Sequence, residues 1–254
     1  MLTTNEWTLL SNMVRSYEAS GIASQAHEIL QQQISLPPRL RSKSSGIISI
    51  IRFIYSTLQP SVEQSAYFQH LPIVARQTLV HHNLEAWGRL NCIFTLREIN
   101  AFAHEAFTIG CNTTYGDETV RTSAQFMARL ESNGALVKAM LMIFAFSSNC
   151  SIVTAPSSES LLMMTSSIVL VRVQHVFVTV LWKYLIYLYG LTGAVRWFDS
   201  SIRWMLDLMR VTIEQAPVEY TRMIDMIVEE TTRSLASCDL DLNDAVIHST
   251  VDHD

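Results

Sequence analysis

Residues 67–97, YFQHLPIVARQTLVHHNLEAWGRLNCIFTLR, constrain this chain more than any other stretch. Phe68 and Leu71 give it a tight apolar start, and Pro72 stands where a first helical turn tolerates a missing N–H. Val74, Leu79, Val80, Leu84, Trp87, Leu90, Ile93 and Phe94 then fall all the way round a helix instead of forming one stripe. A helix apolar on every side is wrapped by other helices, not laid on a surface. The stretch predicts a helix through the middle of a domain, with the remaining elements layered over it.

Those elements also read as helices. Thr3 with Glu6 makes a capping box ahead of a helix carrying Trp7, Leu10, Met13, Val14 and Tyr17. Gly21 interrupts it, and a second segment starts at Ile22 and ends near Gln33. After the extended Pro37-Pro38 pair, Ser44 or Ser45 can cap a helix in which Ile47, Ile51, Ile54 and Leu58 recur at three- and four-residue spacing. Pro60 breaks or kinks that helix. Glu98 to Gly116 places Asn100, His104, Gly110 and Asn112 between short apolar pieces and reads as irregular connection, with room for a small hairpin. Asp117 can cap a helix to Leu130, Ser132-Asn133-Gly134 turns the chain, and Ala135–Phe146 is strongly apolar. From Ser157 or Ser158 a long helix runs to Gly190.

Thr192–Glu214 carries the cleanest pattern. Val195, Phe198, Ile202, Met205 and Met209 alternate steps of three and four, an a/d seam for a partner helix, with Trp197 and Trp204 on its flank. Pro217 permits a last helix with Met223, Ile224, Ile227 and Val228. The expectation is one all-α domain of about ten helices over residues 1–237. An acidic, mobile tail, 238–254, follows it.

Hydrophobic residues make up 49% of the chain and charged ones 16%, which leaves apolar surface for an interface or an enclosed ligand. The net charge of -5 argues against DNA contact by this chain, because such a surface has a basic footprint. Cys92, Cys111, Cys150 and Cys238 show no C-x-x-C spacing, so no zinc site is encoded, and buried reduced thiols are expected. No phosphate-binding glycine loop, G-x-S-x-G or H-E-x-x-H occurs, and a helix points His81 and His82 about 100° apart. Neither an enzyme nor a cofactor is expected. The run from Leu161 to Gly190 raises the question of a membrane span, but Arg172, Gln174, His175 and Lys183 interrupt every window of the required length. A mid-bilayer Arg or Lys costs about 2.5–3.5 kcal/mol, so a buried or interface helix is the better reading.

A sharper possibility lies where the Ile47–Leu58 helix faces the central one. Diverging helices there would leave a dry pocket for an apolar small molecule. Arg97, two turns beyond Leu90, can anchor a ligand carboxylate or keto group; the plain alternative is a surface Arg paired with Glu98 or Glu105.

Taken in order, these elements resemble the ligand-binding domain of nuclear receptors. The family signature, loosely F-x-x-L-x-x-x-D-Q-x-x-L-L, meets Phe68, Leu71 and Leu79-Val80 here, with Ala75-Arg76 in place of the polar pair. VFVTVLWKYLIYLYG and AVRWFDSSIRWMLDLMRV resemble the family's ninth and tenth helices with their connecting turn. The resemblance covers nearly the whole chain. It implies a three-layer antiparallel α-helical sandwich and a nuclear location. It also implies a pocket lined by Ile50, Ile51, Ile54, Tyr55, Leu58, Leu90, Phe94, Arg97, Met223 and Ile227. Its dimer surface, for a second copy or another nuclear receptor, is the helix with Val195, Phe198, Ile202, Met205 and Met209. Its groove for a coregulator protein helix falls at Glu63, Phe68, Arg76, Leu79 and Val80. The clamping Lys of the family is missing from Ser61–Tyr67, and LDLNDAVI, residues 240–247, is a poor match to the activation helix.

The leading expectation is therefore a ligand-sensing and dimerising module of a transcription regulator. A second is a receptor-like module whose pocket is filled by its own side chains, Tyr55, Phe94 and Met223 among them, and which only dimerises or recruits corepressors. A third, an all-helical membrane protein, rests on the Leu161–Gly190 run alone.

Overall fold

A computed structural model describes residues 1–41, 43–147, 158–214 and 220–235. The expected mobile tail, the 240–247 segment, Cys150 and Cys238 lie outside the described residues. Every regular element among the described residues is helical. Helix α1 spans Thr4–Ala19, α2 Ile22–Ser35, α3 Pro38–Arg41, α4 Ser44–Ser56, α5 Leu58–Glu63 and α6 Ala66–Gln69. The central helix α7 spans Ile73–Glu98, and a 3-10 turn covers Ala101–Ala103. Then come α8 (Glu105–Tyr115), α9 (Asp117–Arg129), α10 (Gly134–Ala145), α11 (Ser158–Glu214) and α12 (residues 220–235).

Helix α7 packs chiefly against α4, α10 and α11, with further contact to α2, α5 and α9. Its buried side chains include Leu79, Val80, Leu84, Trp87, Leu90, Ile93, Phe94 and Leu96, and each contributes about 1.5–3 kcal/mol by leaving water. Three polar side chains share this interior and are satisfied there. Asn83 Nδ2 donates to Ser147 O at 2.6 Å, which pins the end of α10. Asn91 Nδ2 donates to Ile54 O at 3.1 Å, and Asn91 Oδ1 accepts from the Tyr17 hydroxyl at 2.6 Å, so one amide joins α1, α7 and α4. The same hydroxyl lies 3.3 Å from Thr95 Oγ1.

The capping box at Thr3 forms, with Glu6 N–H donating to Thr3 Oγ1 and Thr3 N–H to Glu6 Oε2. Glu6 also accepts from Lys183 Nζ at 2.6 Å, so the cap of α1 fastens the N-terminus to α11. Phe68, Phe146 and Phe177 form an aromatic run linking α6, the end of α10 and α11.

Several local expectations shift. Helix α4 begins at Ser44 with Lys43 as its N-cap, and no serine side chain caps it. The break falls at Thr57, and Pro60 sits inside the first turn of α5, where its missing N–H removes no intrahelical bond. The largest correction concerns residues 98–116, which form no hairpin. Asn100 takes a left-handed conformation, φ 50°, that turns the chain out of α7. The 3-10 turn and α8 follow directly. Gly110 and Cys111 are buried in α8.

Helix α11 is two helices joined at Gly190, whose φ of 67° and ψ of 176° leave the helical region. Trp182 and Phe198, each eight residues from that glycine, meet edge to face at 5.6 Å, so the halves fold back on each other. In the first half Leu170, Val173, Phe177, Val180, Leu181 and Leu185 are buried. In the second, Ala194, Trp204 and Leu208 turn inward, and Trp204 Nε1 donates to Phe126 O on α9. By length and composition the segment Ile168–Val211 is apolar enough to cross a membrane, and only about a third of its most apolar window is buried.

Candidate ligand cavity

Between Asn83 and Leu96 every position of α7 is fully buried except Glu85, Arg89 and Cys92. These stand at i, i+4 and i+7, one stripe of a helix. The wrapping of the central helix is therefore incomplete along that one line, and an apolar cavity of about 80 Å³ lies against it.

Each neighbouring element presents a short helical stripe to the cavity. Helix α4 contributes Ile51 and Tyr55, and α7 contributes Arg89, Cys92, Ile93 and Leu96. The 3-10 turn brings Phe102, α8 Cys111 and Tyr115, and α9 Thr119, Val120, Ser123 and Met127. Tyr220, at the start of α12, closes one end.

That end is the polar one. The Tyr55 and Tyr220 hydroxyls are 2.6 Å apart, and the rings cross at 81° with centroids 6.0 Å apart. Arg89 holds its guanidinium 5.2 Å from the centre of the Tyr220 ring. Gly88 sets the depth of Tyr55: a Cβ there would fall 2.1 Å from a Tyr55 ring carbon, so the ring lies directly on the α7 backbone. Burial pushes both phenols above their ordinary range. Burial likewise pushes the Cys92 thiol up to about 12, with Arg89 pulling weakly the other way, and raises Cys111 further. Burial and the upward shift disfavour the thiolate form of both side chains. Among the described residues no cluster of His, Cys, Asp or Glu could hold a metal. The arrangement can enclose an apolar body and offer hydrogen bonds at one end.

The expected pocket residues divide around this cavity. Ile51 and Tyr55 line it. Ile50, Ile54, Leu58, Leu90, Phe94, Met223 and Ile227 are buried in the packed core and do not border it. Arg97 points elsewhere: it donates to Leu130 O at 3.0 Å and Glu131 O at 2.6 Å, closing the α9–α10 turn, and lies 3.6 Å from Glu98. Arg89, Cys92, Phe102, Cys111, Tyr115 and Tyr220 are cavity residues that the sequence reading did not pick out. The available signal was a charged pair, Glu85 and Arg89, repeating on one face of a helix otherwise apolar all round.

Of the expected groove, Phe68, Leu79 and Val80 are fully buried, Arg76 is half-buried, and Glu63 accepts from Gln59 Nε2 at 2.6 Å. The expected dimer seam does reach the surface. Val195 is 52% exposed and Ile202 38%, with Leu206 beside them at 54%, while Phe198, Met205 and Met209 are partly buried.

A second cleft, about 320 Å³, lies between the α1–α2 corner and α10. Its charges are already matched, since Lys138 Nζ pairs with Glu18 at 2.7 Å and Glu98 with Arg97. No protein-family model matches the chain, and comparison with curated proteins and with solved structures returns no match.

Proposed function

We propose that the chain is a nuclear-receptor-type ligand-binding domain, a three-layer helical sandwich that senses an apolar small molecule and dimerises within a transcription regulator in the nucleus. The observation that carries this reading is the open stripe of α7. From Asn83 to Leu96 a helix buried on every other side faces an apolar cavity bordered by α4, the 3-10 turn, α8, α9 and α12. The last helix touches the cavity through Tyr220, so an occupant that repositions Tyr220 biases the packing of α12, the form of population shift this reading requires. The outward seam of α11 supports dimerisation with a second copy or another receptor, because monomers rarely leave so long an apolar patch uncovered.

The size of the cavity favours a second reading as well. Drug-sized ligands occupy pockets of about 300–1,000 Å³, several times the volume found here. Tyr55, Phe102, Tyr115 and Met127 fill much of the space, as in a module that dimerises without a ligand.

Native mass spectrometry of the purified chain separates the two. A dimer carrying an adduct, or a dimer whose melting temperature rises with a panel of fatty acids and sterols, supports ligand sensing. An empty dimer with no response leaves only the dimerisation reading, and an empty monomer removes both.

A further inference from the structure

We infer that Ser44, the first residue of α4, is a phosphorylation site for a serine/threonine kinase that reads arginines ahead of its target. The site lies outside the cavity and does not depend on the ligand reading.

Three observations carry it. First, the spacing is that of a substrate. Arg39 and Arg41 stand five and three residues before Ser44, and no other Ser or Thr in the chain has arginine at both places. Once the segment is extended, both side chains can meet carboxylates in a kinase groove, through the paired hydrogen bonds that guanidinium and carboxylate form. Second, the charge there is uncompensated. Between Glu28 and Glu63 the chain carries Arg39, Arg41, Lys43 and Arg52 and no acid, although its net charge is -5. Arg52 pairs with Glu230, but among the described residues no carboxylate stands within ion-pair distance of Arg39, Arg41 or Lys43. Third, the segment is open to an enzyme. Helix α3 is a single turn with no buried residue; Arg39, Lys43 and Ser45 are exposed, and Ser44 is half-buried. Beyond backbone bonds, Gln33 Nε2 holds the turn by donating to Leu40 O at 3.2 Å and Arg41 O at 3.0 Å, and Arg41 Nε donates to Leu36 O. A surface turn with so few buried contacts opens at small cost.

The step is transfer of the γ-phosphoryl group of magnesium-bound ATP. Its bond to the ADP oxygen breaks, a bond to Ser44 Oγ forms, and the hydroxyl proton passes to a carboxylate of the kinase. The phosphate then stands at the start of a helix that has no side-chain cap, no acid in its first turn and Lys43 as its N-cap. A phosphate of about -2 charge is favoured there by the helix dipole and by the neighbouring cations. Helix α4 carries Ile51 and Tyr55 to the cavity and Arg52 to Glu230 of α12, so a firmer first turn steadies the wall against which the last helix packs.

The test is incubation of the whole chain with magnesium-ATP and each of two purified kinases, with the phosphate located by tandem mass spectrometry. One kinase is selective for arginine at the fifth and third places before serine, the other for acidic residues after it. The first, and not the second, should place phosphate on Ser44, and Ser44→Ala should abolish that product. Arg39→Ala and Arg41→Ala should each slow the reaction about tenfold, the factor for one charge-assisted pair. Gln33→Ala, which unties α3, should quicken it; circular dichroism checks that each variant is folded. The phosphorylated chain should melt about 2–4 °C higher than the native one, the shift that a favourable charge at a helix start gives in a chain of this size. No phosphate, phosphate on Ser42 or Ser45 instead, or unchanged rates in both arginine variants overturns the site. An equal or lower melting temperature overturns the role given to the start of α4. Neither failure touches the ligand reading, which the mass spectrometry of the unmodified chain decides.

Discussion

The hydroxyls of Tyr55 and Tyr220 lie 2.6 Å apart, so one hydrogen bond joins α4 to α12 at the polar end of the cavity. Both rings are buried, and neither hydroxyl can turn to bulk water when the other is removed. Tyr220→Phe should cost about 1 kcal/mol or somewhat more, as expected for a lost hydrogen bond that strands the buried Tyr55 hydroxyl, and Tyr55→Phe should cost less, because the Tyr220 hydroxyl keeps its hydrogen bond with Arg89. The double variant should cost less than the sum, because replacing both partners removes the stranded group. Urea denaturation of the three variants measures this, and strict additivity would contradict the pairing.

Gly88→Ala tests how closely Tyr55 is seated. In an exposed helix interior this change stabilises by about 1 kcal/mol. Here the new methyl would meet the Tyr55 ring at 2.1 Å, and the ring is fully buried with little room to retreat. The variant should instead be destabilised by about 1–3 kcal/mol, the usual range for overpacking. A rise in melting temperature would show that Tyr55 is not pressed against α7.

Ile202→Glu places a charge in the middle of the exposed α11 seam, 38% accessible, without touching the inward face of Trp204 and Leu208. Light scattering should report a dimer for the native chain and a monomer for the variant, with the melting temperature of the subunit little changed. A variant that stays dimeric would refute the seam as the interface.

Glu6 gives a pH signature. The hydrogen bond from Lys183, helped by the Thr3 N–H, lowers its carboxyl from 4.5 to about 2. A depressed carboxylate stabilises the fold fully above the unfolded value and loses that contribution as pH falls through the folded one. Stability should therefore decline between about pH 4.5 and 2 more steeply in the native chain than in Glu6→Gln. Parallel declines in acid titrations followed by circular dichroism would remove the Glu6–Lys183 tie.

The central helix was legible because its apolar residues recur on every face, a pattern that calls for neighbours on most sides; Val74, in its first turn, is exposed all the same. The N-terminal cap was legible because Thr3 and Glu6 act on each other within one turn. Helix α8 was not, since Gly110, Asn112 and three threonines have weak helical preference in isolation and are held by packing against α9 and α4. The cavity was less legible still. A stripe shows which face of a helix leaves water, but whether its side chains meet others or an unfilled space depends on how five elements converge. Arg89 stayed hidden because a charged pair one turn apart, Glu85 and Arg89, reads as the solvent-facing side of a helix. Tyr220 stands 131 residues away, with nothing local to connect the two.

Gly190 makes the two halves of α11 a hairpin, and a hairpin fixes rotational phase. Each residue added or removed just after the glycine would turn the second helix by about 100° about its own axis. One added residue would bring Arg203 and Asp207 to the inward positions of Trp204 and Leu208, and one removed would bring Met205 and Met209 there, so the inward and outward faces cannot be adjusted separately. Any surface this chain offers a partner along that helix is thus clocked to its own core, and a drift in loop length there would disturb folding and assembly together.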